Sequence, residues 1–172
     1  MQWNRKSRFA IAAALAVSFF LPIAMAAGAG AKAGLAQAQA QSLTWKPDAI
    51  LVQVMTLSGN ADGTADKWAY LFHSPQSKRG YRVDVKGGKV DRTLETSAGL
   101  RDRLDAEFID STKAVAQAKA NGLQMKAPSM MTLHTMYTRT KREGPYWNVF
   151  GSVEDTKATI IDGRTGKFVR KE

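Results

Sequence analysis

The feature that most constrains this chain is a period of two. Over residues 68–73, Trp68, Tyr70 and Phe72 alternate with Ala69, Leu71 and His73. A polar turn (residues 74–79) follows, and then Tyr81, Val83 and Val85 alternate with Arg82, Asp84 and Lys86. Gly87-Gly88 turns the chain into Lys89-Val90. Alternation sends successive side chains to opposite faces of a strand, and short Gly-rich connections make neighbouring strands antiparallel. Such a segment folds as a meander with one covered face and one wet face.

The second half reads similarly. Met131, Leu133, Thr135 and Tyr137 fall on one side of a strand, a basic turn follows, and residues 145–153 form the next strand. "ATIIDGRTGKFV" is then a strand, a tight turn and a returning strand. Between the halves, "SAGLRDRLDAEF" is a charged link with a short helix. "FIDSTKAVAQAKANG" is the clearest helix: Asp110 or Ser111 caps it, Ala114, Val115 and Ala118 make its apolar stripe, and Asn121-Gly122 ends it. Residues 47–57 are read as a further helix. Pro47-Asp48 suits a first turn and Ile50, Leu51, Val54, Met55 and Leu57 fall near helical spacing, although the β-branched content speaks for a strand.

Set side by side, the halves keep one order: a helical segment, an aromatic strand, a polar turn, an alternating strand, a Gly-containing turn and Lys-Val or Lys-Phe-Val. Trp68 precedes Lys89 by 21 positions and Trp147 precedes Lys167 by 20. An internal repeat is the reading that follows.

A helix ending at Asn-Gly, then "PYWNVFG", then "ATIIDGRTGKFV" resembles the PepSY domain, a small exported or membrane-associated module. Asp162, Thr165, Gly166 and Lys167 match its usual terminal hairpin, with Gly163 in place of the usual alanine. The resemblance is specific over residues 108–169 and weaker over 45–95, where "KGGKV" replaces "TGKV". It implies an α+β fold of two PepSY-like units, residues 42–97 and 98–172, each a helix packed on an antiparallel β-meander. It also implies a role in binding or restraining a partner protein such as an envelope peptidase, and it carries no catalytic residues. In the hairpin itself, Asp162 and Thr165 can bond the turn backbone, and Gly163 and Gly166 accept positive φ.

The beginning of the chain reads as an export leader. "MQWNRKSR" is basic, an uncharged apolar run follows, and Pro22 precedes the small-x-small pattern Ala24-Met25-Ala26. Residues 1–26 are therefore expected to be a signal peptide cleaved near Ala26, for a periplasmic or secreted protein. An uncleaved anchor is the alternative, since the run approaches the ~18 residues that span a bilayer. Residues 27–41, made of Ala, Gly and Gln with one lysine and one leucine, are expected to be a disordered linker.

There are no cysteines, which excludes thiol catalysis, thiolate metal sites and a lipidated lipoprotein, so stability must come from burial. Net charge is +10, and loss of Arg5, Lys6 and Arg8 with the leader leaves +7. In an envelope compartment the partners for such a charge are anionic lipid headgroups or polymers rather than nucleic acid.

Two sites are candidates. Asn60, Asp62 and Asp66 alternate with Thr64 around Gly63 in an oxygen-rich loop that suggests calcium or a lanthanide. A full EF-hand loop would need an acidic first ligand and a glutamate at its twelfth place, where Ser58 and Ala69 stand. Arg139, Lys141 and Arg142 beside Tyr146 and Trp147 form the candidate partner-binding or anionic contact. His73 and His134, the two histidines, would need a carboxylate to make a zinc site. No nucleophile elbow, Ser-x-x-Lys pair, phosphate loop or dinucleotide fingerprint occurs, so no cofactor is expected. The expected function is a non-catalytic exported module that binds a protein or peptide. Cation binding or adhesion to anionic lipid or polymer are the alternatives, and unpaired edge strands would allow homodimerisation.

Overall fold

In the computed structural model, which describes residues 28–97, 99–137 and 141–172, strands are the dominant elements and two short helices accompany them. Its elements are α1 (Leu35–Trp45), β1 (Ile50–Gly59), β2 (Lys67–Ser74), β3 (Arg79–Lys86), β4 (Lys89–Ser97), α2 (Ser111–Ala120), β5 (Ser129–Tyr137), β6 (Arg142–Val149), β7 (Thr159–Asp162) and β8 (Phe168–Lys171). The eight strands form one antiparallel sheet in the order β4-β3-β2-β1-β5-β6-β7-β8.

This overturns the expected pair of separate helix-on-meander units. β1 and β5 pair through Gln53–His134, Val54–Leu133, Met55–Thr132 and Thr56–Met131, so no boundary divides the sheet at residues 97 and 98. The core is equally undivided: Leu51, Tyr70 and Val83 belong to the same buried cluster as Leu133, Trp147 and Ile161. A four-stranded meander leaves a long edge of unpaired backbone, and joining two such edges satisfies both.

Residues 47–57, expected as a helix, are largely β1. A near-continuous apolar run fits a helix and a central strand alike, because a central strand can be covered on both sides. Here Val54 is flanked by Tyr70 on one side and Leu133 on the other. Only long-range pairing distinguishes the two outcomes.

The expected disordered linker over 27–41 is also corrected. From Gly28 the chain packs on the sheet: Ala29 pairs with Ala65, and the Ala31 carbonyl accepts from the Tyr70 hydroxyl at 2.7 Å. Helix α1 then buries Leu35, Ala38 and Ser42. Its end is held by Trp45, which stacks on Tyr81 with ring centroids 4.7 Å apart and donates from Nε1 to Glu95 Oε1 at 2.5 Å. Alanine is the best helix former, and its small side chain lets the helix sit close to the sheet. A stripe made of one leucine and small residues gives almost no amphipathic signal in the sequence.

Helix α2 follows its sequence signals. Asp110 is the N-cap, accepting from the Ser111 amide at 2.8 Å, and Asn121 closes the other end through its amide to Gln117 and Ala118 carbonyls. Among the described residues the preceding link has no helix, and it is anchored by buried Leu104 and Phe108. In the β3–β4 hairpin, Gly87 and Gly88 take φ of 55° and 75°, the left-handed pair that a tight two-residue turn requires. In the last hairpin Gly166 has φ 75°, but Gly163 does not need positive φ. A Cβ there would lie 2.8 Å from the Pro145 carbonyl oxygen, so close approach is what demands glycine.

The leader expected over 1–26 lies outside the described residues. Among those described, no helix is long and apolar enough to cross a membrane.

Candidate functional site

Cross-strand partners share a face, so the registers assign each strand residue to one side of the sheet. Thr93, Val83, Tyr70, Val54, Leu133, Trp147, Ile161 and Phe168 run abreast across all eight strands on one face. Both helices pack there: a Cβ on Gly34, just before α1, would meet Tyr70 and Val85, and α2 contributes Ala114, Val115 and Ala118 to the shared core. The Trp147 Nε1 donates to the Ile109 carbonyl, in the link to α2, at 2.9 Å.

The opposite face carries different chemistry. Arg92, Asp84, Ala69, Met55, Thr132, Asn148, Ile160 and Arg170 make one row. Leu94, Arg82, Leu71, Gln53, His134, Tyr146 and Asp162 make the next. The centre of this helix-free face mixes polar Gln53, Thr132, His134 and Asn148 with apolar Met55, Ala69, Leu71 and Ile160. Burial lowers the His134 pKa below the ordinary histidine value, partly opposed by the Thr135 carbonyl, which lies 3.1 Å from Nδ1 and accepts from it in the matching tautomer. Asn148 is buried, and its Nδ2 has no hydrogen-bond partner among the described residues.

One corner of that face is basic. Lys67 pairs with Lys86, and Lys86 with Lys89, so three lysines stand abreast on β2, β3 and β4. Beside them Lys67, Arg82, Asp84, Arg92 and Leu94 border a hollow of about 160 Å³. Asp84 is buried and held by Arg82, whose Nε lies 2.6 Å from Oδ1; Asp91 pairs with Lys67 at 3.8 Å. Among the described residues, Lys86, Lys89 and Arg92 have no ion pair. Like charges directly opposite one another on neighbouring strands destabilise a sheet. This row costs stability, and the fold retains it. The sequence shows the cations only as the wet side of alternating strands; their alignment needs the register.

The sites expected from sequence fare unevenly. Asn60, Asp62 and Asp66 lie in the β1–β2 turn. Asp62 Oδ1 accepts from the Thr64 amide at 3.0 Å and from its hydroxyl at 2.7 Å, while Asn60 Nδ2 donates to the same hydroxyl at 3.0 Å. Those bonds hold the Asp62 pKa below the ordinary carboxylate value. Asp66 is exposed. The turn thus uses its own oxygens, and among the described residues no three acidic or histidine side chains gather as a metal site. His73 and His134 share the helix-free face but stand on β2 and β5, with β1 between them.

The basic-aromatic cluster is split. Arg139 lies outside the described residues. Lys141 sits 3.2 Å from Glu143, and Arg142 is bound to Asp102 at 3.6 Å and to the Arg103 carbonyl at 3.0 Å. Tyr146 is half-buried on the helix-free face, where the Arg170 guanidinium lies 6.0 Å from its ring centre. Trp147 points the other way and is fully buried, so it is a core residue and not a partner contact. Adjacent strand residues cannot share a face.

No family model matches this chain, and neither a curated protein nor a solved structure does.

Proposed function

We propose that this chain is an exported, non-catalytic module that binds an acidic protein partner in the cell envelope, the kind of role that the resemblance to the PepSY domain implies. The observation that carries the reading is the one-sided covering of the sheet: both helices pack on one face, and the other presents the unneutralised cations of β3 and β4 beside half-buried Leu71, Gln53, His134 and Tyr146. Positive potential over such a surface steers an acidic partner and fixes its orientation.

Anionic lipid is the competing occupant. It is disfavoured because half-buried Gln53, His134 and Tyr146 at the centre of the face carry polar atoms that suit hydrogen bonding to a polypeptide rather than insertion among acyl chains. The test is photo-crosslinking from the surface position Gln53 in intact envelopes, with a probe on the opposite face at Lys113 as control. A reproducible protein adduct from Gln53 alone supports the reading. Adducts only to lipid, or equal adducts from both positions, would reject it.

A further inference from the structure

Strand β4 is both the border of the basic corner and an edge of the sheet. It runs for nine residues with all but one exposed, and no described strand pairs with its outer side. An edge strand presents a row of backbone donors and acceptors to any extended chain that can reach it. Proteins guard such edges with charge, which sets the sign of what can approach. The guard here is unbalanced. Asp91 is neutralised by Lys67 at 3.8 Å, and Glu95 by Arg79 at 3.5 Å, with Trp45 Nε1 as a further donor to it. Lys89 and Arg92 of β4, and Lys86 behind them, make no ion pair among the described residues, and Asp84, the carboxylate opposite Arg92, is held by Arg82.

Building on the reading above, we infer that β4 receives an extended acidic segment of the partner as a ninth strand. Its backbone pairs with the outer edge of β4, and its acidic side chains on the helix-free face answer Lys89 and Arg92. Leu94, 46 % exposed and two residues beyond Arg92 on the same face, supplies an apolar contact for a small side chain on that face of the incoming strand. A second copy of this chain is a poorer occupant. Antiparallel pairing of β4 with itself about Arg92 would oppose two arginines, and pairing about Thr93 would set Asp91 against Glu95. A membrane surface offers charge but no backbone to pair.

The experiment uses isotope-labelled protein and an eight-residue peptide alternating glutamate with valine and threonine. Two further probes are the same peptide with alternate backbone amides N-methylated and phosphatidylglycerol vesicles. The expected result is saturable binding of the first peptide, with amide shifts concentrated on residues 89–97. N-methylation should abolish it, and the exposed double change Lys89→Glu with Arg92→Glu should weaken it about tenfold. A lysine-for-glutamate peptide should not bind. Equal binding of the N-methylated peptide, shifts elsewhere, or vesicle binding without peptide binding would overturn the inference. Crosslinking from Gln53 to an envelope protein that survives the double change would sink the ninth strand while leaving the binding role standing; absence of any protein adduct from Gln53 in the unchanged protein sinks both.

Discussion

Trp68 and Trp147 meet edge to face, with ring centroids 6.2 Å apart and planes inclined at 74°. These are the two tryptophans that align when the halves of the sequence are compared, and they pack against each other in one core. Phe108 adds a second edge contact to Trp147 at 6.2 Å, and the indole Nε1 is tied to the Ile109 carbonyl. Trp147 thus joins the sheet, the link between the halves and the entry to α2. Trp147→Ala should cost about 3–5 kcal/mol, through lost burial and the cavity left behind. Chemical denaturation with an unchanged m-value checks this. Because the core is continuous, a single transition monitored at both halves is expected rather than two.

Residues 28–34 are part of the fold and not a tether. Asp110 Oδ1 caps α2 and also accepts from the Lys32 amide at 3.1 Å, and the Ser111 hydroxyl accepts from the Ala31 amide at 3.0 Å. Asp110→Ala should lower stability by about 1–2 kcal/mol, the usual cost of a lost cap. Amide exchange should accelerate at Ala31 and Lys32 as well as in α2. Exchange confined to α2 would show that the segment is held some other way.

Leu35 is buried among the sheet side chains and is the one large apolar residue of α1 that is fully buried, Trp45 being only partly so. Leu35→Ala should cost about 2–3 kcal/mol. It should also raise protease sensitivity within residues 28–45 well before global unfolding, because a short helix of this kind depends on packing for its stability.

Stability should fall as the medium is acidified through the histidine range. His134 has a lowered pKa in the folded protein because burial disfavours its charged form. The unfolded chain therefore takes up a proton first. The contribution is fully present above the unfolded value near 6.5 and is lost as pH falls from there through the folded value. His134→Gln should flatten that part of the profile, measured as the denaturation midpoint across pH.

Asn148 lies between Thr132 and Ile160 on the helix-free face with Nδ2 unpaired. Replacing a buried, unsatisfied amide by an apolar group of similar size removes a desolvation cost of about 1 kcal/mol. Asn148→Val should accordingly raise the thermal midpoint. A drop would mean that the amide is satisfied in solution.

Local signals were legible wherever a few neighbouring residues decide the outcome. Asp110 and Asn121-Gly122 bound α2 because caps act within one turn, and Gly87-Gly88 turn the β3–β4 hairpin because both positions need left-handed φ. The β1 segment was not legible as a strand, since Ile50-Leu51-Val52 fits either helix or central strand until Phe72 and Leu133 supply partners for it and its neighbours. Helix α1 was hidden because alanine at Ala38 is buried without looking apolar enough to mark a stripe.

The candidate site divides along the same line. That Trp147 and Tyr146 point to opposite faces follows from the period of two, and the basic-aromatic cluster could have been split on that ground alone. The alignment of Lys67, Lys86 and Lys89 could not, because it depends on two registers and a bulge between Asp84 and Val85. The amino-acid sequence by itself determined, β1 apart, which segments extend, where they turn and where α2 begins and ends, for each rests on contacts a few residues long. Only tertiary structure decided that the two meanders fuse through β1 and β5, that an alanine-rich lead-in becomes a helix, and which cations stand side by side. Those outcomes depend on burial and pairing between residues far apart in the chain, whose free energy no local pattern records.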